Sequence, residues 1–360
     1  AITLASDGTC TANITNNLSN RNLLVNGQMA ISQRGDVTGA NSSGYKALDR
    51  YRHTISIGTW SISKSTDSPD GFGNSLKMDC TTADASPAAT SALAVVQKIE
   101  GQNLQQLKKG TSGAEKVTLS FWIKCTKTGT AAVNLVDEDN TRMIGQQFTI
   151  SSTNTWEKKT LTFAGDTTGA LGNDNGSSLR VEIWLDAGAD YKSGSTPTSW
   201  ETLASTDYFA GGTLNLGDNT SNDVYITGLQ LEVGSVATDF EHRSYGQELA
   251  LCQRYYQVYP KSTGDGYGTL FNANCGNTGW VQGAYTFSEM RSSPTATTSG
   301  NFRIVINNNA YSVSSFSWSH ASKTSFNPQA LTSSTLTLGQ GAMVTANNDS
   351  TAKITLSAEL

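Results

Sequence analysis

Five aromatic side chains stand among Ser, Thr, Asn and Gly in a pattern that suits a surface for binding sugars. They are Tyr191, Trp200, Tyr208, Tyr267 and Trp280. A flat ring packs on the apolar C–H face of a sugar, while neighbouring hydroxyl and amide groups exchange hydrogen bonds with the sugar hydroxyls. We therefore predict that these five side chains contact a glycan.

The first three rings lie in residues 187–216, a stretch too long for a plain connection inside a compact domain. The alternative is that Trp200 and Phe209 pack on the domain and hold the stretch in place. The other two rings lie in the glycine-rich stretches 261–268 and 272–280, where backbone freedom suits an adaptable site. For these two stretches the alternative is that turns alone require such residues.

Hydrolysis of a glycosidic bond would require two carboxyl groups about 5–9 Å apart. The carboxylates nearest to the first aromatic stretch are Asp186, Asp190, Glu201 and Asp207. Nothing in the sequence pairs them, and neither a G-x-S-x-G nor a G-x-x-x-x-G-K-[ST] motif occurs. We predict no catalytic residue and no enzymatic activity, with a glycan-degrading enzyme as the least favoured alternative.

Metal and cofactor sites are also not expected. The three histidines have no partner at helical spacing, and the five cysteines form no C-x-x-C pair. The acidic segment from Asp137 to Asp139 lies between two predicted strands, where it forms either a calcium site or a solvated turn. Cys125 follows a run in which every second residue is apolar, which predicts that its thiol faces a core.

The composition is typical of an all-β protein. The 360 residues carry 15% charged and 37% hydrophobic residues, with 34 glycines, which argues against a helical enzyme or a coiled coil. The net charge is −5 and there is no basic run, so nucleic acid is not an expected partner. There is no apolar stretch long enough for membrane insertion and no pattern of a signal peptide at the start.

Alternation of apolar and polar residues predicts two β domains. In the first domain the predicted strands include 76–80, 157–163, 179–186 and 224–233, and Gly228 is expected to form a bulge in the last of them. Turns separate these strands, so we predict a jelly-roll β-sandwich for residues 22–243. A C-terminal β-sandwich domain is predicted for 261–360. Its expected strands are 302–306, 311–318 and a final hairpin of 341–346 with 352–360.

A short linking helix is predicted between the domains, at 244–260. Apolar and aromatic residues recur there at helical spacing, Ser244 and Gln247 fit a capping box, and Pro260 would end the helix. The stripe consists of Tyr245, Leu249, Cys252, Tyr256 and Tyr259. We predict that the first four of these form the contact of a homotrimer; the alternative is that the stripe packs only on its own sandwich.

Residues 1–21 have too few apolar side chains for a core and are predicted to form an N-terminal arm that orders on a partner. If this arm docks on a larger particle, the C-terminal domain is distal, and its loops face outward. An arm that adds an edge strand to its own sandwich is the alternative.

Two sets of motifs resemble known families. Residues 22–27 (N-L-L-V-N-G) and 224–234 resemble the jelly roll of carbohydrate-binding modules. Those modules often carry calcium-binding carboxylates after the first motif and inside the second. Here the corresponding residues include Gln28 and Met29 in the first motif and Thr227 and Gly228 in the second, so the calcium site is not expected.

A closer resemblance, to appendage proteins of tailed bacteriophages, covers most of the chain. The motifs that carry it are residues 23–29, 33–35, 49–51, 73–77, 229–234, 240–245, 248–256 and 290–295. The segments 240–245 (F-E-H-R-S-Y) and 248–256 (E-L-A-L-C-Q-R-Y-Y) are the most specific. The segment 290–295 resembles a turn of fibre tips, with Glu289 where Pro is common.

This resemblance implies a virion structural protein, made in the host cytoplasm. Such a protein is commonly a homotrimeric tail fibre that recognises host cell-surface glycan during adsorption. Its partners would be copies of itself, other virion proteins reached through the N-terminal arm, and the glycan. The alternative within the virion is a capsid fibre or decoration protein built from the same jelly roll.

Overall fold

A computed structural model describes residues 20–259 and 266–360, together with two short strands near the start. These strands, β1 (Ile2–Leu4) and β2 (Cys10–Ala12), pair antiparallel. Most of the predicted arm 1–21 and most of the predicted loop 261–268 lie outside the described residues.

The first domain is a sandwich of two antiparallel sheets. Its strands are β3 (Val37–Ala40), β4 (Gly44–Tyr45), β5 (Arg52–Ile55), β6 (Thr59–Ser65), β7 (Ser75–Thr82), β8 (Ala92–Glu100), β9 (Val117–Cys125), β10 (Gly129–Asp137), β11 (Arg142–Ile150), β12 (Glu157–Phe163), β13 (Ser177–Ala187), β14 (Glu201–Thr202) and β15 (Asp223–Val233). One sheet has the order β14-β11-β10-β13-β8-β5-β4 and the other β12-β9-β15-β7-β6-β3. The predicted all-β, two-sheet architecture is confirmed.

Five single-turn 3-10 helices lie in the connections of this sandwich. They are Gly101–Asn103, Gln105–Leu107, Ala189–Tyr191, Ser205–Asp207 and Leu216–Asp218. One continuous hydrophobic core fills the space between the two sheets.

The alternating pattern places side chains as expected. Leu119, Phe121, Ile123 and Cys125 of β9 are fully buried in the core, so the prediction for the Cys125 thiol is confirmed. Gly228 has a φ of +64° where the pairing of β15 with β9 shifts register, so the predicted bulge is also confirmed.

The helix is shorter than predicted. Helix α1 (Tyr245–Gln253) begins with the expected capping box, in which the Ser244 hydroxyl and the Gln247 side chain bond each other's backbone amides. It ends at Gln253, and the chain continues as strand β16 (Tyr256–Tyr259). The prediction of a helix to residue 260 is therefore wrong. Aromatic and β-branched residues favour a strand, and here a neighbouring strand is available for pairing.

The helical stripe proposed for a trimer contact therefore does not exist as one surface. Cys252 is fully buried, and Tyr256 lies in a strand with its ring 3.7 Å from the Arg34 guanidinium. Tyr259 packs edge-on against Tyr285 of the C-terminal domain. Leu249 is half-buried, and Tyr245 is 62% exposed. Most of the apolar surface that motivated the trimer is covered within the chain.

The C-terminal domain is built from two further antiparallel sheets around its own core. Its strands after β16 are β17 (Thr269–Asn277), β18 (Trp280–Gly283), β19 (Tyr285–Thr286), β20 (Thr295–Ser299), β21 (Phe302–Ile306), β22 (Asn309–Ser312), β23 (Ser315–Ser319), β24 (Ser325–Leu331), β25 (Gly341–Ala346) and β26 (Lys353–Ser357). The larger sheet has the order β19-β24-β18-β17-β25-β21-β22, with β23 on β24; the smaller has the order β16-β26-β20.

Two predictions for this domain need correction. The final hairpin does not form: β25 pairs with β17 and β21, whereas β26 pairs with β16 and β20 in the other sheet. The stretch 311–318 is two strands rather than one. In both cases the local pattern specifies strands, but long-range partners decide their pairing.

Charged side chains join the two domains. Glu359, just after β26, forms ion pairs with Arg34 and Arg50 of the first domain. Arg254 lies between α1 and β16. Both carboxylate oxygens of Glu100 in β8 accept hydrogen bonds from it, at 2.7 and 2.8 Å. These contacts fix the position of the C-terminal domain on the first sandwich.

Candidate functional site

The outer face of the larger C-terminal sheet carries a groove of about 480 Å³ around Trp280. Strands β17, β18 and β24 form its floor. Its lining residues are Asn272, Ala273, Asn274, Gly276, Trp280, Gln282, Gly283, Ala284 and Asn327. This volume lies in the usual range of ligand-binding pockets, about 300–1,000 Å³.

Strand alternation explains why these side chains share a face. In β17, Phe271, Ala273 and Cys275 point into the core, so the intervening Asn272 and Asn274 point outward. In β18, Val281 is fully buried, and its neighbours Trp280 and Gln282 face out. Asn274 lies directly opposite Gln282 across the strand pair.

The Trp280 ring lies across Gly276. A Cβ atom at residue 276 would come within 2.3 Å of the ring, so any side chain at this position would displace the ring. The ring is half-buried. The backbone of β17 supports it from below, and it forms one wall of the groove.

The polar groups of the groove are amides. Within the described residues, the side chains of Asn272, Asn274, Gln282 and Asn327 take part in no hydrogen bond. Each amide offers two donors and one carbonyl acceptor. An aromatic wall beside unpaired amides and no charged group is chemically suited to a neutral, hydroxyl-rich ligand.

The five predicted contact residues do not come together. Tyr267 precedes β17, on the order of 25 Å from the Trp280 end of that strand by its rise per residue. The Tyr267 side chain is 43% exposed, and the Arg303 guanidinium lies 4.5 Å from its ring centre.

Tyr191 and Tyr208 cover the outer face of the first sandwich instead. Tyr208 is 8% exposed, and its ring stacks on Trp184 with centroids 4.8 Å apart. Tyr191 packs on the same ring at 5.2 Å. The Tyr208 hydroxyl accepts a hydrogen bond from Arg180, and burial raises its pKa to about 12.

Trp200 packs on the first sandwich as well. Its indole Nε1 donates to the carbonyl of Ala164 at 2.7 Å, and the Lys109 ammonium lies 5.2 Å from its ring centre. Phe209 is fully buried. The aromatic residues of 187–216 therefore hold this stretch against the first domain. This was the alternative to a glycan contact.

The acidic tip at Asp137 already contains a cation, the Lys109 ammonium. This nitrogen pairs with Asp137, lies 3.0 Å from Asp166, and donates to the carbonyls of Thr168 and Gly169 at 2.9 Å. Burial alone would raise the pKa of Asp166, but hydrogen bonds from Arg142 and Lys109 hold it below its ordinary value. Among the described residues there is no cluster of three or more His, Cys, Asp or Glu side chains that suits a metal ion.

Two of the carboxylates considered for hydrolysis, Asp186 and Asp207, accept hydrogen bonds from backbone amides. Asp186 is buried and accepts bonds from the backbone amides of Ala187 and Gly217. Asp207 accepts a hydrogen bond from the backbone amide of Ser195 at 2.9 Å. Desolvation and the nearby Asp207 carboxylate raise the pKa of Glu201.

Sequence reasoning identified Trp280 but missed the four amides around it. It also treated 272–280 as a loop, whereas most of it is strand β17, and Cys275 is buried. The signal was available, because Phe271-Asn272-Ala273-Asn274-Cys275 alternates strictly. Such an alternation predicts a strand with amides on its outer face.

No family model matches the chain, and no curated protein matches it. Several solved structures do. The enzymatically active domain of tailspike protein 4 from bacteriophage CBA120 is 14% identical, with a TM-score of 0.29; the match covers 59% of this chain and 21% of that one. This chain thus aligns with about a fifth of the tailspike.

Carbohydrate-binding modules are also similar in structure. The CBM22-1–CBM22-2 tandem of Paenibacillus barcinonensis Xyn10C is 8% identical over 94% of this chain and 98% of its own, with a TM-score of 0.28. TmCBM61, solved with β-1,4-galactotriose, is 9% identical over 59% and 99%, with a TM-score of 0.29. Because all these scores are low, the ligand of this chain has to be inferred from its own side chains.

No helix among the described residues has both the length and the apolar character needed to cross a membrane.

Proposed function

We propose that this chain is a structural protein of a phage virion that binds a host cell-surface glycan through the Trp280 groove. The observation that carries the glycan proposal is the groove itself: one tryptophan ring beside four amide side chains without partners among the described residues. The virion proposal rests on the sequence motifs that resemble phage appendage proteins, such as 240–245 and 248–256.

The chemistry of the groove favours a neutral sugar. A ring wall supplies stacking area, and amides bond to vicinal hydroxyls in the way that fixes a sugar's orientation. The lining contains no carboxylate, histidine or lysine, so the groove offers no acid or base for bond cleavage. These features support binding without turnover, which keeps the chain a non-enzyme in our proposal.

The test is to measure binding of purified host surface polysaccharide, by titration calorimetry, to the wild type and to Trp280→Ala. We expect the substitution to weaken binding by at least about tenfold and to reduce phage adsorption, with only a small change in melting temperature. Trp280→Phe, which keeps a ring, should retain part of the affinity. Trp156→Ala, on the first sandwich, is the matched control and should bind normally. Wild-type affinity in Trp280→Ala would refute the assignment of the groove.

We also propose that the protein is a homotrimer, although less apolar surface remains exposed for a subunit contact than the sequence indicated. Of the large apolar side chains of α1, Tyr245 and Leu251 remain exposed, and we assign the subunit contact to Leu251. Sedimentation equilibrium of the wild type should give three times the monomer mass, and Leu251→Ser should shift it toward one. A wild-type monomer at micromolar concentration would exclude the trimer.

The virion location is tested through the arm. We expect a chain lacking residues 1–21 to fold and bind glycan normally but to be missing from purified particles. Normal incorporation of this shortened chain would exclude attachment through the arm.

A further inference from the structure

A second cavity lies where the first sandwich, helix α1 and the C-terminal domain meet. Its volume is about 470 Å³, close to that of the Trp280 groove. Ile31 and Lys64 line it from the first domain, Tyr245 and Leu249 from the helix, and Lys353 from β26. We call it the interdomain cleft.

The walls of the cleft are held in place by the contacts between the domains. Gln33, which lines it, donates from its amide to the backbone carbonyl of Tyr256 at 2.7 Å. Beside it, Arg34 is paired with both Asp49 and Glu359. These contacts span residues far apart in sequence, so the cleft is preformed and a ligand would not have to assemble it.

Positive charge distinguishes this cleft from the groove. Lys64 and Lys353 both line it, and no carboxylate does. Within the described residues neither lysine is in an ion pair, whereas Lys77, Lys98 and Lys109 all are. The Lys64 ammonium has only a long contact of 3.3 Å, to the carbonyl of Ala30.

Two carboxylates near these lysines, Asp36 and Asp349, are engaged with backbone groups. Asp36 accepts from the backbone amide of Lys64 at 3.0 Å. Asp349 accepts from the amides of Asn301 and Thr351, both at 2.8 Å. Asp67, three residues from Lys64, is paired with Lys124 instead. Because no carboxylate among the described residues forms an ion pair with Lys64 or Lys353, both ammonium groups remain available to an anion from solution.

The remaining lining resembles a sugar subsite. The Tyr245 ring is 62% exposed, beside an apolar floor that includes Ile31 and Val258. Ser350 and Thr351 also line the cleft; the Thr351 hydroxyl donates to Asp349 but can still accept a hydrogen bond. A ring for stacking, hydroxyls for hydrogen bonds and two cations together match a saccharide that carries carboxylates.

We infer that the interdomain cleft is a second ligand site, selective for an acidic saccharide such as a uronic-acid oligomer. The saccharide class rests on the proposed function, whereas the preference for an anion rests on Lys64 and Lys353 alone. The two sites would then read different features of one glycan, uncharged residues in the groove and carboxylates in the cleft.

The test uses trigalacturonate and its fully methyl-esterified form, which has the same rings without the charges. Binding of each to the full chain is measured by calorimetry at low and at physiological salt. We expect the acid to bind, the ester to bind at least about tenfold more weakly, and the affinity for the acid to fall with salt. Lys64→Gln and Lys353→Gln should each weaken binding of the acid by about tenfold.

Two control variants make the outcomes distinct. Lys158→Gln removes the same charge from an exposed lysine on β12, at the far edge of the sheet that contains Lys64, and should bind like the wild type. Trp280→Ala should still bind trigalacturonate, even if it loses the neutral glycan. Equal affinity for acid and ester, no binding of the acid, or an unchanged affinity in both lysine variants would each overturn the inference. Loss of acid binding in Trp280→Ala alone would assign the acid to the groove and overturn it too.

Discussion

The two domains handle polar side chains in opposite ways. The first sandwich buries many ionisable side chains, among them Asp49, Arg50, His53, Glu100, Lys109, Asp137, Asp166, Glu182 and Asp186. In residues 266–360 the buried polar side chains are those of Thr332 and Thr345. The C-terminal domain keeps its amides on the outer face of a sheet, where the groove forms.

A buried charge has to be paired, and a group that is paired within the fold is no longer available to a ligand. Lys109 satisfies Asp137 and Asp166, and Trp200 covers that cluster, so neither the acidic tip nor the ring is left for a ligand. Trp280 has no such partner and stands beside open amides. The two regions thus differ because the first pairs its polar groups within the fold, whereas the second leaves several amides without partners among the described residues.

The largest effect should come from Lys109→Ala. It leaves two buried carboxylates without their ammonium, which costs about 3–5 kcal/mol of unfolding free energy. Its neighbour Lys108 pairs with Glu115 in a solvent-exposed position, so Lys108→Ala should cost at most about 1 kcal/mol. Urea unfolding followed by tryptophan fluorescence measures both. If both variants lost a similar amount of unfolding free energy, burial would not be what makes the Lys109 ion pairs stabilising.

Replacing each of the two tryptophans by alanine compares the two regions most directly. Trp200→Ala should lower the free energy of unfolding by about 2–3 kcal/mol, because a half-buried ring and its bond to Ala164 are lost. Its affinity for the host polysaccharide should not change. Trp280→Ala should lose affinity, and its loss of stability should be smaller, because no hydrogen bond of the Trp280 ring is lost among the described residues. Unchanged affinity in both variants, or a larger stability loss in Trp280→Ala, would contradict the division between a stabilising and a binding region.

Acid should weaken the first sandwich through His53. Burial, with the charges of Lys46 and Arg52, lowers the pKa of His53 to about 3, and no ring nitrogen has a hydrogen-bond partner among the described residues. The unfolded chain takes up this proton near pH 6.5, so the stability contribution present above that pH is lost as the pH falls toward 3.

Between pH 7 and pH 5 this histidine should account for about 2 kcal/mol of lost stability. His53→Leu should reduce the difference between denaturation curves at the two pH values by that amount. His320→Asn, at an exposed position, is the control and should leave the difference unchanged. An undiminished pH dependence in His53→Leu would contradict the prediction.

Gly276→Ala should weaken glycan binding with little effect on stability. The added Cβ would force the Trp280 ring from its position, at a cost equivalent to about two- to tenfold in affinity. Gly279→Ala in the same hairpin meets nothing closer than 3.8 Å and should bind as the wild type does. Calorimetry with the host polysaccharide distinguishes the two, and equal affinities would show that the ring position is unimportant.

The smallest expected effect is that of pH on glycan affinity. The groove lining has no titratable side chain, so affinity for a neutral glycan should vary less than about twofold from pH 6 to pH 9. A titration curve with a clear midpoint in that range would indicate that an ionisable group outside the groove takes part in binding.

Local pattern was enough to predict much of the fold. Alternation located β7, β12, β13 and β15, and a single glycine predicted the bulge at Gly228. The capping residues correctly marked the start of α1. Each of these features depends on neighbours within a few residues, which is the range over which a sequence pattern carries information.

The candidate site was only partly predictable. Trp280 stood out because a tryptophan in a polar stretch is conspicuous, but so did Trp200, and composition does not distinguish them. What separates them is a partner distant in sequence: Trp200 meets Ala164 and Lys109, whereas Trp280 meets Gly276 of the adjacent strand. Asn327 joins the groove from β24, almost fifty residues away from Trp280, so no local pattern could include it.

The sequence by itself determined that this protein is all-β, where its strands alternate, and where helix α1 begins. Tertiary structure decided which strands pair, that the helix gives way to β16, and that β25 and β26 join different sheets. It also decided which rings are covered and which remain open. The physical reason is that strand alternation specifies two faces, while burial of either face depends on surfaces that only the folded chain brings together.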